Sequence, residues 1–482
     1  MSVNHTASTL TKGLLSTVRT GMEEAVNRSL DRNIKLAVTG LSRSGKTAFI
    51  TSLVHQILFA PDSQNLPFWR VLNSGRFLGA RKMEQPDAHI AAFPYEKALE
   101  CLSQTNPEWP EPTQGISEIR INMRYKPQGM LRKHLASSSN LTLDIIDYPG
   151  EWLLDLPLLN LDFEEWSAQI ARQCRQSARA DLAQPWIDLL ASYDMHAPAD
   201  DRILQKLASA YTDYLHACQK SGRGLSLIQP GRFVLPGDMK GAPALTFCPY
   251  VGKPLPFSLT RSRNDKTLYG VMRMRYEYYK THVVRQFYRD HFARFDRQIV
   301  LVDCLQALNT GVDSFHDMQE AICMIMKNFQ YGKSSLLGRL FNPRIDKLLF
   351  AASKADHVTP NQHHSLEQFL QRMVASAHND IHYEGIESGC MAISALQSTD
   401  NVMAEFQGQK ISCIKGRAKD SGEEIALFPG EVPIEAPQVE DWLDERFRFM
   451  EFKPPRLVDV YNQPFPHIRM DRVLEFLLGD KC

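Results

Sequence analysis

The chain has 482 residues, more than one compact core usually holds, so two or three structural units are expected. Hydrophobic residues at 43% and charged residues at 23% give the mixture of a folded globular protein and exclude a disordered one. Lys+Arg and Asp+Glu both number 55, and without an excess of positive charge general nucleic-acid binding is disfavoured.

The nine cysteines form no C-x-x-C pair, and an odd count suits neither disulfides nor zinc; reduced thiols in a cytoplasm are expected. The first residues, MSVNHTASTLTKGLLSTV, lack the apolar run of a secretory signal, and no stretch reaches the ~18–20 apolar residues of a membrane-spanning helix. The expected location is cytoplasmic, with peripheral contact at the inner membrane surface as the alternative.

In chain order, Leu10, Leu14, Val18, Met22, Val26 and Leu30 recur at steps of four and predict an amphipathic helix over 9–31. IKLAVT (34–39) reads as a buried strand, and TAFITSLVHQILF as a helix ended by Pro61. A helix is expected around HIAAFPYEKALECL. SEIRINMRY alternates like an outer strand, whereas LTLDIID is apolar throughout like an inner one. Residues 151–297 are mainly helical in pattern, with a long run over 265–296. Strands return at QIVLVDC (298–304), KLLFAAS (347–353) and CMAIS (390–394), separated by helices near 315–328 and 364–377. Residues 401–465 look like turn-rich hairpins, and RMDRVLEFLLG closes the chain as a helix. The expected divisions are 1–33, an amphipathic helix; 34–150 and 298–400, the two parts of a nucleotide-binding domain; 151–297, a helical insertion; 401–465, an extension; and 466–482, a terminal helix. Alternating strands and helices call for a mostly parallel sheet covered on both faces, with ligands at the carboxyl ends of its strands.

The chemistry falls at those ends. Gly40-Leu41-Ser42-Arg43-Ser44-Gly45-Lys46-Thr47 satisfies G-x-x-x-x-G-K-[ST], with Ala48 opening the helix behind it. Glycines let such a loop wrap so that successive N–H groups meet phosphates, Lys46 reaches the β and γ oxygens, and Thr47 binds Mg²⁺. Asp147-Tyr148-Pro149-Gly150 ends the inner strand, where a carboxylate can hold Mg²⁺ and the Gly150 N–H can contact a γ-phosphate. Thr113, four residues ahead of the outer strand, is the candidate to close on that metal.

Ser353-Lys354-Ala355-Asp356 resembles the N/T-K-x-D box that reads guanine, with Ser353 departing from the usual Asn or Thr. A carboxylate accepts from the guanine ring N–H and amine, and adenine offers a bare acceptor in the same place. Ser394-Ala395-Leu396 resembles the S-A-K/L box, whose backbone N–H groups meet the guanine carbonyl. Glu151 stands where a water-orienting glutamine is common, and a glutamate there can accept from the attacking water or sit awkwardly beside the phosphate. The run 261–297, rich in Lys and Arg with Tyr276, Tyr278, Tyr279 and Tyr288, reads as an RNA or acidic-lipid surface or, the favoured reading, as a packed helix with a solvated basic face.

The order of these boxes resembles the translation-factor-like GTPases, and the whole chain resembles the YcjX family of bacterial P-loop GTPase-like proteins linked to stress responses. That resemblance implies nucleotide binding and a large helical insertion, and leaves the cellular task open; with the boxes, the expectation is a Ras-like P-loop NTPase domain of α/β class that binds guanine nucleotide (GTP/GDP) and Mg²⁺, hydrolyses GTP slowly and acts as a nucleotide-dependent switch. The loop GLSRSGKT is also similar to those of guanylate-binding proteins and atlastins, in which an arginine at the position of Arg43 folds back as an internal finger; an outward surface cation is the alternative. The expected partners are the nucleotide and an unidentified protein effector, with a membrane surface or a nucleotide-dependent dimer as further candidates. A dynamin-like scaffold and an ATPase are the rival functions.

Overall fold

The computed structural model describes residues 33–482 apart from 42, 63, 128–137, 253–265, 331–344, 384, 407, 445, 458 and 462. The helix expected over 9–31 and the opening of the basic run 261–297 lie outside the described residues.

The apolar strands owe their composition to burial on both faces. In β6 (Arg297–Val302), Ile299 and Leu301 enter one buried cluster while Val300 and Val302 enter the other. In β7 (Lys347–Ala352), Leu349 and Ala351 divide from Leu348 and Phe350 in the same way. This is the period of two that a doubly covered sheet imposes. The sheet is completed by β1 (Asn33–Gly40), β2 (Phe77–Met83), β3 (Ala91–Ala92), β4 (Ser117–Tyr125), β5 (Ser139–Asp147) and β8 (Glu387–Ala392). Its order is β2-β4-β5-β1-β6-β7-β8, with β3 beside β4. β1 runs parallel to β5 and β6, and β6, β7 and β8 are mutually parallel, while β4 is antiparallel to β5 and β2. The carboxyl ends Gly40, Asp147, Val302, Ala352 and Ala392 therefore share one edge.

Two expectations are corrected. SEIRINMRY forms β4 but is not the outermost strand, since β2 pairs beyond it. FLGARKM has an exposed, charged second half, so it carries no buried-strand signal. The helix around HIAAFPYEKALECL starts only at Tyr95, after Pro94, and Ala91–Ala92 pair instead with Ser117 and Glu118.

One face of the sheet is covered by Lys46–Phe59, Tyr95–Ser103 and Met470–Leu478, the other by Val312–Gln330, His363–Tyr383 and the helices that follow β5. Lys46–Phe59 is buried almost all round, and its polar residues are matched: His55 meets Tyr95 Oη at 3.1 Å and the Gln463 carbonyl at 2.8 Å, and Gln56 donates to the Phe465 carbonyl at 2.7 Å. Behind Asp147 comes an eleven-residue 3-10 run, Gly150–Asn160, buried from Gly150 to Leu158. That length is unusual for 3-10 geometry. Helices Phe163–Gln173, Ser177–Ala191, Asp201–Lys220 and Leu268–Tyr278 follow, the last continuing through a π segment, Tyr279–Val284. Their shared core is aromatic: Trp166 stacks on Tyr276 at 4.8 Å, and Trp186 lies 4.7 Å from Tyr211. Beyond β8, three antiparallel strands, β9 (Thr399–Phe406), β10 (Gln409–Arg417) and β11 (Glu424–Leu427), make a second small sheet.

Candidate functional site

At the end of β1 the chain turns with Ser44 N–H bonded to the Leu41 carbonyl at 3.1 Å, and both Arg43 (φ 66°) and Gly45 (φ 81°) are left-handed. Gly45 tolerates this freely; Arg43 does not, and such residues persist where the surroundings fix them. The turn delivers the chain into Lys46–Phe59, whose N-terminal N–H groups and dipole suit an anion. Ser42 lies outside the described residues. Gly40 and Gly150 touch through their backbones: a Cβ on Gly150 would come 2.1 Å from the Gly40 carbonyl oxygen, and one on Gly40 would come 2.2 Å from Ser44 Oγ. Only glycine permits that approach.

Around this contact four of the expected residues meet. Lys46 Nζ donates to the Tyr148 carbonyl at 2.8 Å and lies 3.3 Å from Asp147 Oδ1. Thr113 donates to Asp147 Oδ2 at 2.5 Å, and Thr47 donates to the Glu111 carbonyl at 3.0 Å, so the loop ahead of β4 already leans on the phosphate loop. Burial pushes the Asp147 carboxyl above its ordinary range, with the Lys46 charge and the Thr113 hydroxyl pulling the other way. Asp147 Oδ1 faces the Lys46 ammonium, and Ser44 Oγ is buried without a hydrogen-bond partner among the described residues. Two hydroxyls and a carboxylate are hard oxygen donors, the set that suits Mg²⁺ completed by phosphate oxygens and water. The residues fit that ion.

Arg43 is exposed and borders a small cleft with Asp303 of the sheet edge and Gln219 and Ser226 of the helical insertion. Glu151 is 6% exposed and lies under the insertion, where a Cβ on Gly231 would come 2.3 Å from its carbonyl oxygen. Behind it, Asp155 accepts from the Gly231 N–H at 2.8 Å and from the Tyr279 hydroxyl at 2.6 Å; burial pushes its carboxyl up to about 7. Arg232 stacks over Trp152 at 3.3 Å. The segment behind Gly150 is thus seamed to the insertion by backbone, carboxylate and ring contacts.

The remaining boxes follow β7 and β8. Ser353 bonds the Val302 carbonyl through N–H (2.9 Å) and hydroxyl (3.3 Å), so it ties β7 to the end of β6 rather than to the phosphate loop. Lys354 is left-handed (φ 61°), and its ammonium pairs with Asp303 at 2.6 Å and Glu451 at 3.0 Å. Asp356 is 4% exposed, and Ser398 donates to its Oδ2 through N–H at 2.7 Å and hydroxyl at 2.6 Å. Ser394 gives its N–H to the Ile468 carbonyl at 3.1 Å, while the Ala395 carbonyl accepts from Ser52. A base carbonyl at this box would therefore be met by Ala395 or Leu396. Asp303, Ser398 and Glu451 escaped the sequence reading. Ser398 lies only four residues past the Ser394 box, whereas nothing in the local pattern singles out Glu451.

In the basic run, Arg275 pairs with Asp201 at 2.6 Å, and Lys280 donates to the Leu161 carbonyl at 2.8 Å; Tyr276, Tyr279 and Tyr288 are buried. These charges serve the packing of the insertion. Among the described residues no helix is long and apolar enough to cross a membrane.

A mostly parallel sheet with a phosphate-type loop after its central strand and a D-x-P-G turn after the neighbouring one defines a P-loop protein of Ras-like strand order. Residues 34–482 match the family described as YcjX-like family, DUF463, and the chain belongs to that family. It is 45% identical over 457 residues to the Ras-like GTPase YcjX of Escherichia coli K12, covering 95% of this chain and 97% of that one. It is 41% identical over 470 residues to the Ras-like GTPase YcjX of Shewanella oneidensis, covering 95% and 96%.

Proposed function

We propose that the chain binds GTP and GDP with Mg²⁺, hydrolyses GTP slowly, and works as a nucleotide-dependent switch read out by its helical insertion. One observation carries this reading: Lys46 and Thr47 of the phosphate loop, Thr113 of the loop ahead of β4 and Asp147 at the end of β5, from three separate segments, converge beside the Gly40–Gly150 contact. The printed name shared by the two relatives, Ras-like GTPase, agrees with it. The tie to stress responses comes from the family resemblance.

Lys46 would exchange the Tyr148 carbonyl for β and γ oxygens. Thr47, Thr113 and Asp147 would hold Mg²⁺, which draws charge from those oxygens when bound. The Gly150 N–H would meet the γ-phosphate, with Glu151 next to the attacking water. Any shift of Gly150 is passed along the 3-10 run to Asp155, Gly231 and Tyr279, so the insertion registers the state of the phosphate site.

For the base, Ser398 occupies both lone pairs of Asp356 Oδ2, leaving Oδ1 for guanine, and the Ser398 hydroxyl is free to rotate away when both guanine donors arrive. The same hold on Asp356 favours, as a second reading, an ATPase in which Ser353–Asp356 is only a turn. Asp356→Asn tests the choice. It swaps one acceptor oxygen for a donor, so GDP affinity should fall ~10²-fold and xanthosine diphosphate should gain. Unchanged GDP affinity in a calorimetric titration would remove Asp356 from the base site.

A further inference from the structure

The base-box lysine is held from an unexpected direction. Asp303, at the end of β6, already supplies Lys354 with one carboxylate; the second, Glu451, comes from the C-terminal extension, 97 residues away. Burial alone would lower the Lys354 ammonium, but the two carboxylates outweigh it and raise it. Glu451 is held down at about 2 against its own burial by Lys354 and Lys419. The segment bearing Glu451 is itself anchored by an isolated β-bridge just past the end of β10: Lys419 N–H bonds the Glu451 carbonyl at 2.9 Å, Lys453 N–H bonds the Arg417 carbonyl at 2.8 Å, and Ala418 bridges to Phe452.

The next two residues reach both halves of the site. Phe452 is 1% exposed and meets the His357 ring edge-on at 5.1 Å. It also lies over Gly416, where an added Cβ would come 2.8 Å from the Phe452 ring and 3.0 Å from the carbonyl of Ser398, the residue that orients Asp356. On its other side the Phe452 carbonyl accepts from Trp109 Nε1 at 2.9 Å, and Lys453 Nζ pairs with Glu108 at 2.9 Å. Trp109 and Glu108 stand just before Glu111 and Thr113, the residues that lean on Thr47 and Asp147. Three consecutive residues of the extension therefore touch the base box and the Thr113 loop together.

We propose that Glu451 is a positioning residue for the guanine base, and that Glu451-Phe452-Lys453 is a clasp joining the base box to the Thr113 loop so that the extension sets the rate of nucleotide release. This rests on the guanine reading above. Lys354 is kept over the base by a carboxylate whose own backbone is fixed to a sheet. The Thr113 loop cannot lift without straining the same three residues, so exit of the base and opening of the phosphate site are one event.

The test is the dissociation rate of ribose-labelled fluorescent GDP from the full chain, chased with unlabelled GDP, with melting temperature recorded beside it. Glu451→Gln keeps the shape but removes the charge that holds Lys354, and release should quicken ~10-fold or more. Lys453→Glu, at a partly exposed pair, should quicken release roughly two- to five-fold. Adding Glu108→Lys to it should restore the parent rate, and quickened release from Lys453→Glu at an unchanged melting temperature separates the clasp from a general loss of stability. Release at the parent rate from both Glu451→Gln and Lys453→Glu, with labelled GDP bound normally by the parent, would overturn the clasp alone. A parent that binds no labelled GDP would overturn the guanine reading and the clasp with it.

Discussion

Replacing Lys46 by methionine is expected to weaken GTP and GDP binding by ~10²-fold or more, the loss of two charge-assisted contacts worth about 1.5–3 kcal/mol each. Methionine keeps an unbranched stem of similar length and removes the ammonium that meets the Tyr148 carbonyl. The change also withdraws the cation 3.3 Å from the buried Asp147, so it is not neutral for the fold. Burial already raises the Asp147 carboxyl, and without Lys46 it rises further. A carboxyl whose folded value exceeds its unfolded one, about 4, favours the fold below that value, and the advantage is lost as pH rises through the folded value. Lys46→Met should therefore melt close to the parent near pH 5 and fall behind it toward pH 8. Binding measured by calorimetry at both values separates the phosphate contact from this stability term: weak binding at pH 5, where the fold is least affected, identifies the lost contact, and parent-like affinity there would remove Lys46 from the phosphates.

Arg43→Asn is expected to slow single-turnover GTP hydrolysis by ~10³-fold or more while leaving affinity within a few-fold. Phosphoryl transfer spreads negative charge over the equatorial and bridging oxygens, and a planar guanidinium strengthens its contact as that charge grows. Arg43 stands one turn before Lys46, exposed, on a backbone already bent into the left-handed region, beside the cleft formed by Asp303, Gln219 and Ser226. Asparagine tolerates that backbone better than alanine, so its effect reports the lost side chain rather than a relaxed loop. Arg43→Lys should recover little, because a point charge lacks the fork. Rates equal to the parent in Arg43→Asn would mean that the side chain serves only the surface.

What the sequence disclosed follows from the physics of each element. Strands buried on both faces, β1, β5, β6 and β7, announce themselves as apolar runs, and β4 matches its alternating segment residue for residue. The edge strand β2 was silent because half of it faces solvent. Gly150–Asn160 is dense in leucine and reads as an ordinary helix; its 3-10 run is closely approached by Gly40 and Gly231, contacts that no local pattern encodes. The phosphate loop and the D-x-P-G turn were legible because their chemistry is contiguous. The surroundings of the base box were not. Asp356 is oriented by a serine 42 residues on and Lys354 by a glutamate 97 residues on, and only the fold brings them together.

If Lys46, Thr47, Thr113 and Asp147, with Asp356 of the base box, make a guanine-nucleotide site, the parent chain discriminates between purine nucleotides on its own. Titrating GDP, GTP and ATP separately into the parent chain with excess Mg²⁺, by calorimetry, tests it most directly. One site per chain is expected for GDP and GTP, with ATP weaker by ~10²-fold or more. ATP binding as tightly as GTP, or no heat from any of the three, would contradict it.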